Sequence, residues 1–313
     1  MKIKDLRDFV DRECRVDVAI VIACTEGKTA KGSKYFSLTL QDSTGTIEAK
    51  KWDVSPSDEA ILAVKKVVSV EGYPLIYNGS QFQFKISDVE PANNYNEDDL
   101  ILDAPVDRKL LEEKFLDYID NIEDDEIRTI VSEVVDAYYK KLLNHPAAKT
   151  NHHEYAGGLL PHEVSMLDLA NQVANLYPTI NKDLLFGGII LHDLGKTIEL
   201  SGPIATEYTM EGKLLGHISI VQTAIVDAAR KHGINSEVVT LLQHMVLSHH
   251  GKLEYGSPVL PVILEAEVMY LIDNMDSKIV MINKALKDVE DCGYSHRVMG
   301  LEGRSFYKHS KSK

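Results

Sequence analysis

Cysteine is scarce in this chain: Cys14, Cys24 and Cys292 are the three in 313 residues. They are too few and too scattered for a disulfide framework or a thiolate zinc site, which points to a reducing compartment, with the cytoplasm as the expectation. Long apolar runs are also missing. Nothing approaches the roughly 20 residues that span a bilayer, and the start, Met1-Lys2-Ile3-Lys4-Asp5-Leu6-Arg7-Asp8, lacks the apolar stretch of a signal peptide, so no membrane partner is expected. A surplus of basic residues is lacking too. The formal net charge of -14 argues against a general nucleic-acid binder, because neutralising phosphates takes Lys and Arg. The acidity is uneven, however: residues 1–96 hold 13 Lys and Arg against 14 Asp and Glu, a net of -1, and the remaining 217 residues carry -13. The length allows about two domains, each able to bury a core.

Residues 1–90 carry the period-two pattern of strands. The segment 16–22 is rich in β-branched residues, 35–40 and 81–86 alternate, 46–50 follows the turn Asp42-Ser43-Thr44-Gly45, and 67–72 continues the series. Five strands with a helix over 56–65 between the third and fourth match an OB-fold, an all-β barrel that often binds oligonucleotides on one face. Alternation points Phe36, Leu38, Leu40, Phe82, Phe84 and Ile86 inward and leaves Tyr35, Ser37, Thr39, Gln81, Gln83 and Lys85 outward. Tyr35 and Trp52 are therefore candidates for stacking on bases, with Lys28, Lys31, Lys34 and Lys51 nearby for phosphates. The competing role for the two aromatics is to cover the barrel end or a domain interface, and the sequence leaves the two balanced.

A polar stretch over 91–106, opening with Pro91-Ala92-Asn93-Asn94-Tyr95-Asn96, has the composition of a linker. Beyond it, 107–313 reads as all-α. Helices are predicted over 107–122 and 125–143, around His162, and over 184–193, 217–232, 236–249 and 261–286. Imidazole and carboxylate groups recur along them, in Leu159-Leu160-Pro161-His162, Leu191-His192-Asp193-Leu194-Gly195-Lys196, Gly216-His217, Ser248-His249-His250-Gly251 and Leu271-Ile272-Asp273-Asn274-Met275-Asp276. A lone helical histidine is ordinarily a satisfied core or surface residue, and His145, His232, His244, His296 and His309 claim no more than that.

The pair His192-Asp193 differs. The run from Leu184 to Leu191 is apolar nearly all round, so its helix should be buried, and an ionised carboxylate there needs a counter-charge or a metal. Gly195 is expected in the left-handed conformation that ends a helix, which puts His192 and Asp193 in the last turn at the edge of a pocket and leaves Lys196 free to reach a phosphate. Imidazoles and carboxylates without thiolates suit a hydrolytic divalent metal. His249 and His250 diverge by about 100° around a helix, so both line one pocket only near a helix end. Asp273 and Asp276 share a helix face, and spacing does not choose between them.

The order H…HD…H…H…D over helices resembles the HD-domain metal-dependent phosphohydrolases. Over nearly its whole length the chain resembles the YhaM-type 3′→5′ exoribonucleases of Gram-positive bacteria, which join an N-terminal OB-fold to an HD domain. The stretches that carry this are His152-His153-Glu154-Tyr155-Ala156-Gly157-Gly158-Leu159-Leu160, Leu200-Ser201-Gly202-Pro203, Thr206-Glu207-Tyr208-Thr209, Gly212-Lys213-Leu214-Leu215-Gly216-His217 and the terminal Arg304-Ser305-Phe306-Tyr307-Lys308.

The resemblance implies a nucleic-acid-binding OB-fold over 1–90, a linker over 91–106 and a helical HD phosphohydrolase over 107–313. It implies hydrolysis of phosphodiesters in single-stranded RNA, with single-stranded DNA as a second candidate substrate and self-association left open. Two divalent ions are implied, Mn²⁺ foremost and Fe²⁺, Co²⁺, Zn²⁺ or Mg²⁺ as the others, about 3.5 to 4 Å apart. His162, His192, Asp193 and Asp273 would hold one; Asp193 would bridge to a second held by His217 and His249, with His250 as a further ligand or phosphate contact. Family order favours Asp273 over Asp276. Lys196 would neutralise the scissile phosphate, with Lys213 and Arg304 in weaker versions of that role; His152 and His153 either contact substrate or cap the fold, and Arg304, Phe306 and Tyr307 either hold RNA or anchor the carboxy-terminal tail. The alternative is an HD enzyme of small nucleotides or cyclic dinucleotides whose barrel regulates it; a third reading is a strand-binding protein with an inactive helical part, against which the complete ligand set counts.

Overall fold

In the computed structural model the described residues are 1–29, 32–77, 81–96, 99–101, 108–143, 145, 157–202, 206–287 and 289–310. Lys31, His152, His153 and Pro203, along with parts of the expected linker, lie outside them. The chain divides into two compact units, Met1–Pro105 with Gly202–Glu207, and Val106–Ser201 with Tyr208–Lys313.

The first unit is a closed five-stranded barrel: β1 (Cys14–Lys28), β2 (Lys34–Asp42), β3 (Gly45–Trp52), β4 (Val67–Tyr77) and β5 (Gln81–Pro91), in the order β1-β2-β3-β5-β4. The β3–β5 pairing is parallel and the others are antiparallel. Phe36, Leu38, Leu40, Phe84 and Ile86 are buried, as their alternation requires, and Phe82 packs half-buried against the same core. Helix α1 (Pro56–Ile61) opens with a capping box in which Ser55 and Asp58 exchange hydrogen bonds. It stops short of the expected residue 65 because the chain has left helical geometry by Lys65, at φ 71°.

The second unit is helical through most of its length: α2 (Arg108–Asp120), α3 (Asp125–Leu142), α4 (Leu159–Leu176), α5 (Lys182–His192), α6 (Lys196–Glu199), α7 (Met210–Lys231), α8 (Glu237–Ser248) and α9 (Leu264–Leu286). A short hairpin, β6 (Gly293–Tyr294) with β7 (Tyr307–Lys308), follows α9. Every residue of α5 from Leu184 to His192 is buried, and the helix packs on α3, α4, α8 and α9. Burying its six large apolar side chains at about 1.5–3 kcal/mol each holds α5 at the centre of the unit. That position carries His192 and Asp193 inward with it. No described helix is long and apolar enough to cross a membrane.

Candidate metal centre

Five helices deliver side chains to one point. His162 comes from the first turn of α4, His192 ends α5, and Asp193 follows as its C-cap with φ -109° and ψ 0°. His217 enters from α7 immediately after Gly216, whose φ of 72° kinks that helix and turns the next residue inward. His249 and His250 follow the end of α8 at Ser248, the helix-end placement the sequence requires of that pair. Asp273 and Asp276 come from α9.

Asp193 is the hub. Its Oδ2 lies 3.4 Å from His192 Nε2 and 3.8 Å from His162 Nε2, while Oδ1 lies 3.6 Å from His217 Nε2 and 3.9 Å from His249 Nε2. His162, His192 and Asp193 form one group with ligand atoms close enough to hold an ion, and His217, His249 and His250 form another. His162 Nε2 also faces Asp273 Oδ1 at 3.6 Å. The neighbour Asp276 approaches the opposite nitrogen: its Oδ2 accepts from His162 Nδ1 at 2.8 Å and its Oδ1 accepts from Ser165 Oγ at 2.6 Å. The two aspartates that spacing could not separate are thus set on opposite sides of one imidazole.

The outer nitrogens of the other rings are fixed as well. His192 Nδ1 meets the Ile189 carbonyl at 2.6 Å, His249 Nδ1 the Val246 carbonyl at 2.7 Å, and His217 Nδ1 the Glu199 carboxylate at 3.1 Å. Held in this way, each ring turns Nε2 toward Asp193. The buried atoms His192 Nε2, His217 Nε2, His249 Nε2, His250 Nδ1 and Asp193 Oδ1 have no hydrogen-bond partner among the described residues. Unpartnered buried polar atoms are individually costly, and three ring nitrogens gathered around the Asp193 carboxylate fit a cation bound by nitrogen and oxygen.

The electrostatics agree. Burial drives the Asp193 carboxyl upward, but His192, Lys196 and His217 outweigh it and hold it well below the ordinary carboxylate range. Burial depresses His192, yet Asp193 and Glu163 overcome this and push it up to about 10. Burial likewise opposes the charge on His162, and the Asp276 hydrogen bond with the nearby Asp273 leaves it above the ordinary value. His249 lies well below, through burial and then the repulsion of His250 and His192. Burial raises Glu163, beside His192, to about 8.

Two expectations change. Gly195 is not left-handed: its φ of -62° and ψ of -20° are right-handed helical. Glycine is needed there because a Cβ would lie 2.3 Å from the carbonyl oxygen of His217, so α7 can approach only a residue without a side chain. Lys196 is not free either, because its Nζ donates to Asp193 Oδ2 at 2.6 Å, drawn in by the buried carboxylate. Lys213 is exposed on α7, and Arg304 engages its own hairpin by donating to the Leu301 carbonyl and lying over Phe306; neither is among the side chains that meet at Asp193. The sequence reading missed Glu163, Glu199 and Ser165, and Asp276 as the support of His162. The His162-Glu163 dipeptide was the available signal for the first; Glu199, in a four-residue helix, left none.

On the barrel, Tyr35 and Trp52 are cross-strand partners with ring centroids 4.7 Å apart, and Trp52 is 39 % exposed. Lys50 Nζ lies 5.4 Å and 5.7 Å from the two ring centroids. Lys34 is held between Glu26 at 2.9 Å and Glu59 at 2.7 Å, and Lys51 donates to the Ser87 carbonyl. Lys50, unremarked in the sequence as a contact, is the cation beside the aromatic pair.

Residues 18–92 match the OB-fold nucleic acid binding domain, and residues 159–278 match the HD domain, which implies dependence on a divalent metal. The chain is 46 % identical over 298 residues to the 3′-5′ exoribonuclease YhaM of Geobacillus sp. (strain WCH70), an alignment covering 94 % of this chain and 92 % of that protein. It is 44 % identical to the protein of the same name from Bacillus velezensis, covering 92 % and 93 %, and 45 % identical to that from Bacillus licheniformis, covering 94 % and 95 %. With identity of this order along more than nine-tenths of both chains, this chain belongs to the YhaM 3′-5′ exoribonuclease family.

Proposed function

We propose that this protein is a metal-dependent 3′→5′ exoribonuclease that hydrolyses the phosphodiester bonds of single-stranded RNA. The observation that carries the chemistry is the set of three unpartnered buried imidazole nitrogens, of His192, His217 and His249, that face Asp193 within 3.9 Å. The helical unit does the hydrolysis and the barrel holds the strand. Two ions fit the two halves of the cluster: His162, His192, Asp193 and Asp273 for one, and Asp193, His217, His249 and His250 for the other. Imidazoles and carboxylates without thiolates suit a hydrolytic divalent ion, and Mn²⁺ is the one the family resemblance puts first. When bound, such ions supply Lewis-acid charge to the phosphate oxygens and lower the pKa of water.

The chain's own groups do the rest. Asp193 turns one oxygen to each half, so a single carboxylate fixes their spacing. Asp276 and Glu199 aim the rings of His162 and His217. Lys196 places a positive charge beside Asp193 and balances negative charge as the phosphate reacts. On the barrel, the Tyr35–Trp52 pair offers ring faces to unpaired bases while Lys50 supplies a cation. Stacking ignores the 2′-hydroxyl, so single-stranded DNA fits the same surface.

The test is digestion of one single-stranded RNA labelled separately at each end, with Mn²⁺ and with chelator. A metal-dependent ladder that shortens from the 3′ end is expected. Intact RNA together with turnover of small phosphodiesters would overturn the assignment.

A further inference from the structure

The hairpin after α9 is built around two aromatic rings that cover little of the core. Tyr294 and Tyr307 are cross-strand partners with centroids 5.0 Å apart and an interplanar angle of 50°, yet Tyr294 is 70 % exposed and Tyr307 47 %. Strands of two residues have little intrinsic stability, so other bonds must hold the rings in place. They are present. Cys292, itself at φ 65°, donates its N–H to the Lys308 carbonyl at 2.7 Å, and Ser295 N–H donates to the Phe306 carbonyl at 2.8 Å. Phe306 N–H returns a bond to the buried Ser295 Oγ at 3.0 Å, Lys308 Nζ donates to the Val289 carbonyl, and Val298 N–H to the Arg304 carbonyl at 2.9 Å. Leu301 anchors the loop inward. The hairpin is thus over-determined while its largest apolar surfaces face water.

Along the hairpin itself basic residues outnumber acidic ones, although Glu290 and Asp291 stand exposed just before it. Residues 293–310 carry Arg297, Arg304 and Lys308 against Glu302 alone, in a protein of net charge -14. His296 and Arg297 are exposed on the loop between the strands. The ring pairing repeats the device on the barrel, where Tyr35 and Trp52 also pair across strands. Paired exposed rings on a hairpin whose loop carries an exposed arginine match a single strand of nucleic acid, with its unstacked bases and its phosphates.

We propose that the β6–β7 hairpin is a second single-strand-binding platform, on which Tyr294 and Tyr307 stack an unpaired RNA base and Arg297 contacts the adjoining phosphate. This rests on the exoribonuclease reading for its choice of RNA, although binding and hydrolysis are measured separately. Stacking needs the ring and not the hydroxyl, so phenylalanine should replace tyrosine where alanine cannot.

The full chain is held in chelator with a 5′-labelled oligouridine, and binding is followed by fluorescence anisotropy. Tyr294→Ala should weaken binding by about 5- to 100-fold, the span that alanine substitution of a stacking residue produces, and Tyr294→Phe should bind like the wild type. Arg297→Ala should lower the slope of log affinity against log salt by about 1, and Tyr294→Ala should leave that slope unchanged. A 5-iodouridine oligonucleotide photo-cross-linked to the unsubstituted protein should mark the peptide carrying Tyr294 or Tyr307, a result that does not depend on how a variant folds. Unchanged affinity in Tyr294→Ala, or cross-links confined to other peptides, overturns the platform. If the wild type shortens RNA with Mn²⁺ but never cross-links there, the platform fails and the nuclease stands; if it cross-links there but never shortens RNA, the nuclease fails and the platform stands.

Discussion

Replacing Asp193 by asparagine removes one charge and almost no volume, which makes it the sharpest test of the centre. In the protein Oδ2 faces His192 and His162 and accepts from Lys196, while Oδ1 faces His217 and His249. An amide cannot serve both halves: whichever side receives the NH₂ gains a donor where a ligand oxygen stood. Loss of an outer support alone lowers metal affinity or activity by about 10- to 100-fold, so loss of the shared ligand should exceed about 100-fold in turnover. Stability should fall as well, because Lys196 is left without the carboxylate 2.6 Å away. Breaking a buried ion pair costs about 3–5 kcal/mol, and with 14 % of its side chain exposed Lys196 belongs at the lower end, near 3 kcal/mol. In a domain of this size that lowers the melting temperature by roughly 6–12 °C while leaving helical content intact at 25 °C. The assay pairs an end-labelled RNA ladder with metal content by mass spectrometry and a circular dichroism melt. An Asp193→Asn protein that keeps its metal and digests RNA within about threefold of the wild type would refute the hub.

The two aspartates of α9 should separate by mechanism. Asp276→Asn, which weakens the hold on His162 Nδ1, should lower metal affinity by about 10- to 100-fold and recover activity at high Mn²⁺, whereas Asp273→Asn should not recover; identical behaviour would place both in the same role. Gly195→Ala sets a methyl against the His217 carbonyl and should destabilise by about 1–3 kcal/mol while displacing that ring, so an unaltered melt with full turnover would show room the backbone does not have. Metal uptake needs neutral imidazoles, and His192, raised to about 10, holds its proton at pH 7, so uptake should release protons and apparent affinity should fall as pH drops; calorimetric heats that do not vary between buffers of different ionisation enthalpy would contradict this. Trp52→Ala and Tyr35→Ala should weaken long single strands by about 1–3 kcal/mol each and leave dinucleotides nearly unaffected; equal losses on both would return the pair to a structural role.

What could be read in the sequence was what periodicity encodes. Alternation at 35–40 located the barrel's inner face because a strand repeats every two residues, and at 81–86 it did so except at Gln83, which was expected outward and is buried, donating to Glu48. The unbroken apolar run before His192 required a buried helix, and burial made a carboxylate at its end conspicuous. Lengths were less legible: β1 reaches Lys28 and β4 reaches Tyr77, well past the expected ends, because closing a barrel pairs backbone that no side-chain pattern marks. The conformation of Gly195 was misread for a related reason. A glycine after a helix ordinarily signals a left-handed cap, but here it answers to the His217 backbone, which arrives from 22 residues further along the chain.

The same distinction explains which parts of the centre were visible. A ligand histidine announces itself by residue type, while the group that aims it is any acceptor the fold brings to the far nitrogen. Two of those acceptors are backbone carbonyls, at Ile189 and Val246, and carry no side-chain signature at all. Asp273 and Asp276 are the same residue type on one helix face, so what separates them is which nitrogen of His162 each one meets. That choice follows from the rotation of α9 against α4. The rotation is set by packing between helices far apart in sequence, and the hydrogen bond from His162 to Asp276 alone spans 114 residues. The terminal stretch pointed to Tyr307 but not to Tyr294 or to their pairing, since strands of two residues are too short to show a period, and only the folded hairpin makes the two rings neighbours.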